Sequence, residues 1–175
     1  IPASPAPGPA TQGIPDVEPE GGVKVGFAAD HAGAALKAEL IRRVGAARPD
    51  DELVDLGGDG SDPNDDYPDF SARLAYAVRD GQVERGILIC GSGVGASIAA
   101  TKVRGVRAAV CHDTYSAHQG VEHDDMNVLT LGARVIGSEP ALECSLAFLA
   151  AAFTGEPRHR RRLDKVLAIE AGETI

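Results

Sequence analysis

From Val23 onward, short apolar runs bounded by turn residues alternate with stretches whose apolar positions recur at helical spacing. Val23–Ala28 predicts a first strand, and Ala34–Arg43 the helix after it. Glu52–Leu56 is a weaker second strand, and an acidic, turn-rich loop (Gly57–Asp66) leads to a helix over Pro68–Arg79. Gly86–Cys90 predicts strand three, with a helix over Val94–Ala100, and Val106–Cys111 predicts strand four, with a polar helix over Thr114–Glu122. Val128–Leu131 is strand five, Glu139–Phe153 a long apolar helix and Arg160–Ala171 a last helix. Strands alternating with helices imply right-handed crossovers and a parallel sheet covered on both faces. The expected fold class is therefore α/β: a three-layer α/β/α, doubly wound (Rossmann-like), five-stranded parallel sheet with a C-terminal helix. Ligands of such folds bind in the crevice at the carboxyl ends of the strands. Asp30, His31, Cys90 and Arg134 all fall at predicted strand ends.

Composition narrows this picture. Residues 1–22 hold six prolines, four glycines, three acids and no lysine or arginine. Such a segment buries too little apolar surface to order itself, which predicts a disordered tail ahead of a single domain over 23–175. It also lacks the basic and apolar regions of a secretory signal. No apolar run approaches the roughly 20 residues that span a bilayer. A net charge of −9 argues against nucleic-acid or anionic-membrane partners. The three cysteines, Cys90, Cys111 and Cys144, are odd in number and form no Cys-x-x-Cys pair. That usage fits a reducing, cytoplasmic compartment, without a disulfide framework or a structural zinc site.

The most informative run is Gly-Ile-Leu-Ile-Cys-Gly-Ser-Gly-Val-Gly, residues 86–95. A buried strand ends in a cysteine, and Gly91, Gly93 and Gly95 turn the backbone into a helix. The first N–H groups of a helix lack intrahelical partners, and the dipole there is positive. Cys90, Ser92 and those donors so face one anion-friendly space, suited to a phosphate or to an oxyanion forming beside a thiolate. Cys90 as a small buried hydrophobe is the alternative. The spacing is not Gly-x-Gly-x-x-Gly, no acid ends strand four and no Gly-Lys-Ser/Thr follows, which argues against a dinucleotide or P-loop site. Cys111 and Cys144 lack any such turn and read as structural.

Asp-His-Ala-Gly (30–33) follows strand one directly; Asp30 reads as a helix cap, a ligand contact or both, beside His31. Arg158-His159-Arg160-Arg161-Arg162 is a dense cationic run in an acidic chain. Arg158 and Arg162, four apart on a helix, can fork onto one phosphate, or the run is a solvated face. His123-Asp124-Asp125 precedes strand five; one histidine beside two adjacent aspartates is poor metal-ligand geometry, and no metal is expected.

Asp-His-Ala-Gly (30–33), Asp-Tyr-Pro (66–68), Ile-Cys-Gly-Ser-Gly-Val-Gly (89–95), Asn-Val-Leu-Thr-Leu-Gly-Ala-Arg-Val-Ile-Gly (127–137) and Arg-His-x-x-Arg (158–162) stand in this order over residues 23–170. Together they resemble the type-B ribose-5-phosphate isomerases and the related galactose-6-phosphate isomerase subunits. The resemblance implies a cofactor-free aldose–ketose isomerase of a phosphorylated sugar, with ribose 5-phosphate and ribulose 5-phosphate as the first pair. Galactose 6-phosphate, allose 6-phosphate and erythrulose 4-phosphate are the alternatives, as is a non-catalytic sugar-phosphate binder; a nucleotide-dependent oxidoreductase is the rival from another class. By that analogy Cys90 removes the proton next to the carbonyl, while Ser92 and the backbone of Gly91, Gly93, Val94 and Gly95 stabilise the cis-enediolate. His123 would assist ring opening, Asp30 hold sugar hydroxyls or shuttle a proton, and Tyr67 line the sugar pocket. His31, Arg134, Arg158 and Arg162 would bind the phosphate. The resemblance also implies a homo-oligomer, dimer or tetramer, with the site at the subunit interface. Two positions depart from the pattern. One branch has a glutamate base where this chain has Ala96, which leaves Cys90 as base. Many members have Asn where this chain has Asp124, and a carboxylate cannot donate to a sugar oxygen as an amide can.

Overall fold

The strands that read as unbroken apolar runs lie at the centre of a five-stranded sheet, where both faces are covered. The computed structural model describes residues 21–175; the tail expected over 1–22 lies, apart from Gly21 and Gly22, outside the described residues. The elements are β1 (Lys24–Ala29), α1 (Ala34–Ala47), β2 (Glu52–Asp55), α2 (Tyr67–Arg79), β3 (Arg85–Cys90), α3 (Val94–Ala100), β4 (Ala108–Val110), α4 (Thr114–Asp124), β5 (Val128–Gly132), α5 (Ser138–Ala150) and α6 (Pro157–Glu170). All strands pair in parallel, in the order β2-β1-β3-β5-β4.

Alternation along β3 sets the two cores. Ile87 and Ile89 face α1, α4 and α5, in a cluster with Phe27, Leu40, Leu129 and Phe148. Leu88 and Cys90 face α2 and α3, with Leu74, Ala96 and Val128. The helix after β1 therefore covers one face and the helix after β3 the other. This reversal opens a crevice at the carboxyl ends of β1 and β3.

Four elements differ most from expectation. α1 runs on to Ala47 rather than ending at Arg43, its apolar spacing continued by the buried Val44. β4 is shorter than Val106–Cys111, because the Val106 N–H is turned back onto the Val103 carbonyl at 3.1 Å. α5 stops at Ala150 rather than Phe153; the Arg85 guanidinium takes the Phe148 and Ala151 carbonyls at its end. α6 begins at Pro157 rather than Arg160, since proline lacks the N–H that a first helical turn leaves unused. Phe148 is fully buried, and its ring also carries the Arg85 guanidinium at 5.2 Å. Phe148→Ala is expected to lower unfolding stability by about 3–5 kcal/mol, read as the urea midpoint, with the sheet unchanged by circular dichroism.

Candidate active site

At the carboxyl end of β3 the chain turns through Gly91 and Ser92 into α3. Gly93 is the N-cap residue, with φ +81°, a left-handed conformation that glycine adopts without strain. Its N–H donates to the Cys90 Sγ at 3.1 Å, and the Val94 N–H donates to the Ser92 Oγ at 3.3 Å. Cys90 is 5% exposed. The sulfur therefore faces the N-terminal turn of α3. Cys111 and Cys144 sit differently: burial pushes both thiols up to about 11, which leaves them inert near neutrality.

Neighbouring strand ends close around this turn. The Asp30 N–H donates to the Ile89 carbonyl at 3.3 Å, bringing the end of β1 against β3. Asp30 is buried, and its Oδ1 accepts from the Gly33 N–H at 3.0 Å. It thus caps the turn before α1, while the helix N-cap position belongs to Gly33. The ring of Tyr67, at the start of α2, lies over Gly95 so closely that a Cβ there would sit 2.8 Å from Cζ. On the far side, the Ala133 N–H donates to the Cys90 carbonyl and the Arg134 N–H to that of Gly91, at 2.8 and 3.0 Å. The Arg134 guanidinium extends over Gly91. Asp30, His31, Tyr67, Cys90–Gly95 and Arg134 therefore share one crevice.

His123, Asp124, Arg158 and Arg162 do not join them within one chain. α4 runs back along the sheet from the end of β4 and finishes near the amino ends of the strands. Asn127, three residues beyond Asp124, accepts there from the Gly86 N–H at 2.9 Å. Gly86 and Cys90 are four residues apart on β3, on the order of 13 Å at about 3.3 Å per residue. At that end the His123 ring stacks on His159, with centroids 3.9 Å apart. The Gln119 Nε2 donates to its Nδ1 at 2.8 Å, which leaves the proton on Nε2. His159 is 1% exposed and pairs through Nδ1 with the Thr154 hydroxyl at 2.6 Å. Burial holds its imidazole below the ordinary value, with His123 and Arg158 adding to the effect. Arg158 and Arg162 share the exposed side of α6, and Arg158 is held by Glu156 at 2.9 Å.

Three site supports escaped the sequence reading. Asp65 holds both the backbone N–H and the ring of His31, at 3.0 and 2.7 Å. His112 Nε2 accepts the Gly132 N–H at 2.9 Å, just below Arg134. Lys37, buried on α1, bonds Asp55 at 2.5 Å and the Gly57 carbonyl at 3.1 Å, tying down the loop that carries Asp65. The acidic loop offered several carboxylates without a spacing that could single out Asp65. Among the described residues, no group of three or more His, Cys, Asp or Glu side chains is placed to hold a metal ion. None of the described helices is long and apolar enough to cross a membrane.

A doubly wound sheet with a thiol, a glycine turn and cationic side chains at its switch point is an arrangement suited to a small anionic ligand. Residues 25–166 match the model of the ribose/galactose isomerase family, and the chain belongs to that family. It is 43% identical to ribose-5-phosphate isomerase B of Escherichia coli over 147 residues, 84% of this chain and 96% of that protein. It is 48% identical over 103 residues to D-erythrulose-4-phosphate isomerase of Pectobacterium atrosepticum, 59% of this chain and 68% of that one. The crystal structure of ribose-5-phosphate isomerase B from Mycoplasma genitalium with bound ribulose-5-phosphate superposes with a TM-score of 0.78 at 38% identity. That match covers 85% of this chain and 96% of the other.

Proposed function

We propose that the protein is a sugar-phosphate aldose–ketose isomerase that interconverts ribose 5-phosphate and ribulose 5-phosphate by proton transfer at Cys90. The observation that carries this reading is the Cys90 Sγ at the switch-point crevice, accepting the Gly93 N–H at 3.1 Å in a chain of this family. The thiolate takes the C2 proton of the open-chain aldose and returns it to C1, while the O2 proton passes to O1, with a cis-enediolate between. Negative charge grows on oxygen, where the Gly91–Gly95 backbone and Ser92 stabilise it. Asp30 holds sugar hydroxyls or relays a proton, and Tyr67 lines the sugar pocket. His31 and Arg134 bind the phosphate, whose distance from C2 lets its binding energy orient the sugar.

The site is completed by a second copy of the chain. His123, Asp124, Arg158 and Arg162 stand at the opposite end of their own sheet, so only a neighbour brings them to Cys90. The surface supports such pairing: α3 exposes Val94 and Ile98. An apolar groove of about 480 Å³ lies between β4, α4 and α6, lined by Val106, Met126, Leu163, Val166 and Leu167, with Asp124 at its edge. His123, carrying its proton on Nε2, opens the furanose ring by donating to the ring oxygen. Arg158 and Arg162 of the neighbour add to the phosphate site. A homodimer is the smallest assembly that meets this requirement, and three free thiols suit a cytoplasmic setting.

The test is a panel of four- to six-carbon sugar phosphates incubated in deuterium oxide with EDTA present. The expected result is deuterium uptake at the carbon next to the carbonyl, fastest with ribose 5-phosphate and undiminished by the chelator. Binding without exchange across the panel would make the protein a sugar-phosphate receptor. Faster exchange with erythrulose 4-phosphate would move the substrate to the four-carbon class.

A further inference from the structure

We propose that Asp65 is a positioning residue that holds His31 in the orientation in which its ring serves, through Nε2, as a cationic phosphate ligand. The proposal rests on the phosphate role assigned to His31 above. Asp65 stands in the loop between β2 and α2, outside every motif that carries the family resemblance. Its Oδ1 accepts from the His31 backbone N–H at 3.0 Å and from ring Nδ1 at 2.7 Å, so one oxygen grips the residue at both ends of its side chain. A carboxylate only accepts, so the Nδ1 proton is fixed and Nε2 is left as the ring's remaining polar atom. Nε2 has no partner among the described residues, and the side chain is 34% exposed.

The grip itself is held. The Gly57 carbonyl at the start of the loop accepts from both the Ala29 N–H and the Lys37 ammonium, at 3.2 and 3.1 Å. At the next residue, Gly58 approaches the Ala29 carbonyl too closely to admit a Cβ. The loop is therefore fastened to the carboxyl end of β1, where His31 begins.

Charge makes the arrangement necessary. The groups that face His31 are Asp65, Asp30 and Arg134. Burial first, and the Arg134 guanidinium more weakly, oppose a positive charge on the imidazole just where a phosphate dianion needs one. The Asp65 carboxylate, through its hydrogen bond first and its charge after that, pushes the His31 imidazole above its ordinary value, and Asp30 adds to this. A raised imidazole is charged below its own midpoint and loses the charge as pH rises through it. The cationic contribution of His31 to phosphate binding therefore fades as pH rises through that raised midpoint. Without the Asp65 charge the same fade begins at lower pH.

Asp65→Asn keeps an acceptor in place and removes only the charge, whereas Asp65→Ala removes both. At pH 7.5 D65N is expected to raise KM for ribose 5-phosphate about tenfold, with kcat within about twofold, as loss of a charge-assisted contact to substrate predicts. The rise in KM with pH starts earlier in D65N than in wild type, and ring-nitrogen NMR shows His31 titrating at lower pH. In an H31Q background D65N produces no further change in KM. An unchanged His31 titration, an unchanged KM, or the same KM rise in the H31Q background would overturn the proposal. If no sugar phosphate is turned over, the functional reading fails by itself. The His31 titration and the affinity for inorganic phosphate, compared in wild type and D65N, then decide the role of Asp65.

Discussion

Cys90→Ala is expected to turn over ribose 5-phosphate about 10³-fold more slowly than wild type, equivalent to about 4 kcal/mol of transition-state stabilisation. The size follows from what else the site offers. The position after the glycine loop that could carry a carboxylate base is Ala96, fully buried among the α2 and α3 side chains. Asp30 already accepts from the Gly33 N–H, and the proposed mechanism gives it the sugar hydroxyls or a relayed proton rather than the C2 proton. Loss of the thiol therefore leaves the crevice without a base for the C2 proton. Folding suffers little, because deleting one small buried atom from a helix–sheet contact costs about 1 kcal/mol. Steady-state rates, C2 hydrogen exchange and a urea titration on the same preparation separate the two effects. Cys90→Ser reports on the element itself: a hydroxyl fills the same volume but ionises far less readily than a thiol. Exchange at the wild-type rate in C90A would remove Cys90 from the mechanism and move the search to Asp30.

The second large effect is a gain. C90A and His123→Ala are each expected to be nearly inactive alone, yet together, after co-refolding, to recover about a quarter of the wild-type rate. In a two-fold dimer each site takes Cys90 from one copy and His123 from the other. A mixed dimer therefore has one site with both groups intact and one with neither. Random pairing makes half of the dimers mixed, and half of their sites are whole. The expectation stems from the course of α4, whose end at the amino side of the sheet carries His123 away from its own Cys90. Differently tagged copies show by affinity capture that mixed dimers have formed. Mixed dimers with no recovered activity would place each site within a single chain, and full activity of H123A by itself would remove His123 from the chemistry.

How much could be read before folding depends on the residue. The β3 run and its glycines were legible because strand, turn and helix each leave a local pattern, and the structure puts Cys90, Ser92 and Gly93 where that pattern implies. Asp30 was half legible. Its position after β1 marked it, but its cap goes to the Gly33 N–H in the turn before α1. Asp65 was illegible, for its grip on His31 spans 34 residues and one acid in an acidic loop looks like the next. The same holds for the stack of His123 on His159, which joins α4 to α6 across 36 positions of chain.

Elements, their order and the placing of chemistry at strand ends were determined by the sequence alone. They depend on the spacing of apolar residues and on glycine, both of which act over a few residues. The strand order β2-β1-β3-β5-β4 was decided by tertiary packing, as was the division of the marked residues into two groups. A parallel crossover can skip a neighbour, as β3 to β4 does, and nothing local to either strand records it. That skip lets β5 lie beside β3, which brings Arg134 over Gly91. The run of α4 from the end of β4 back to the start of β5 then sends His123 to the opposite end of the sheet. Residues that looked like one site along the chain thereby lie at opposite ends of the sheet, because a helix that returns between parallel strands must end at the other end of it.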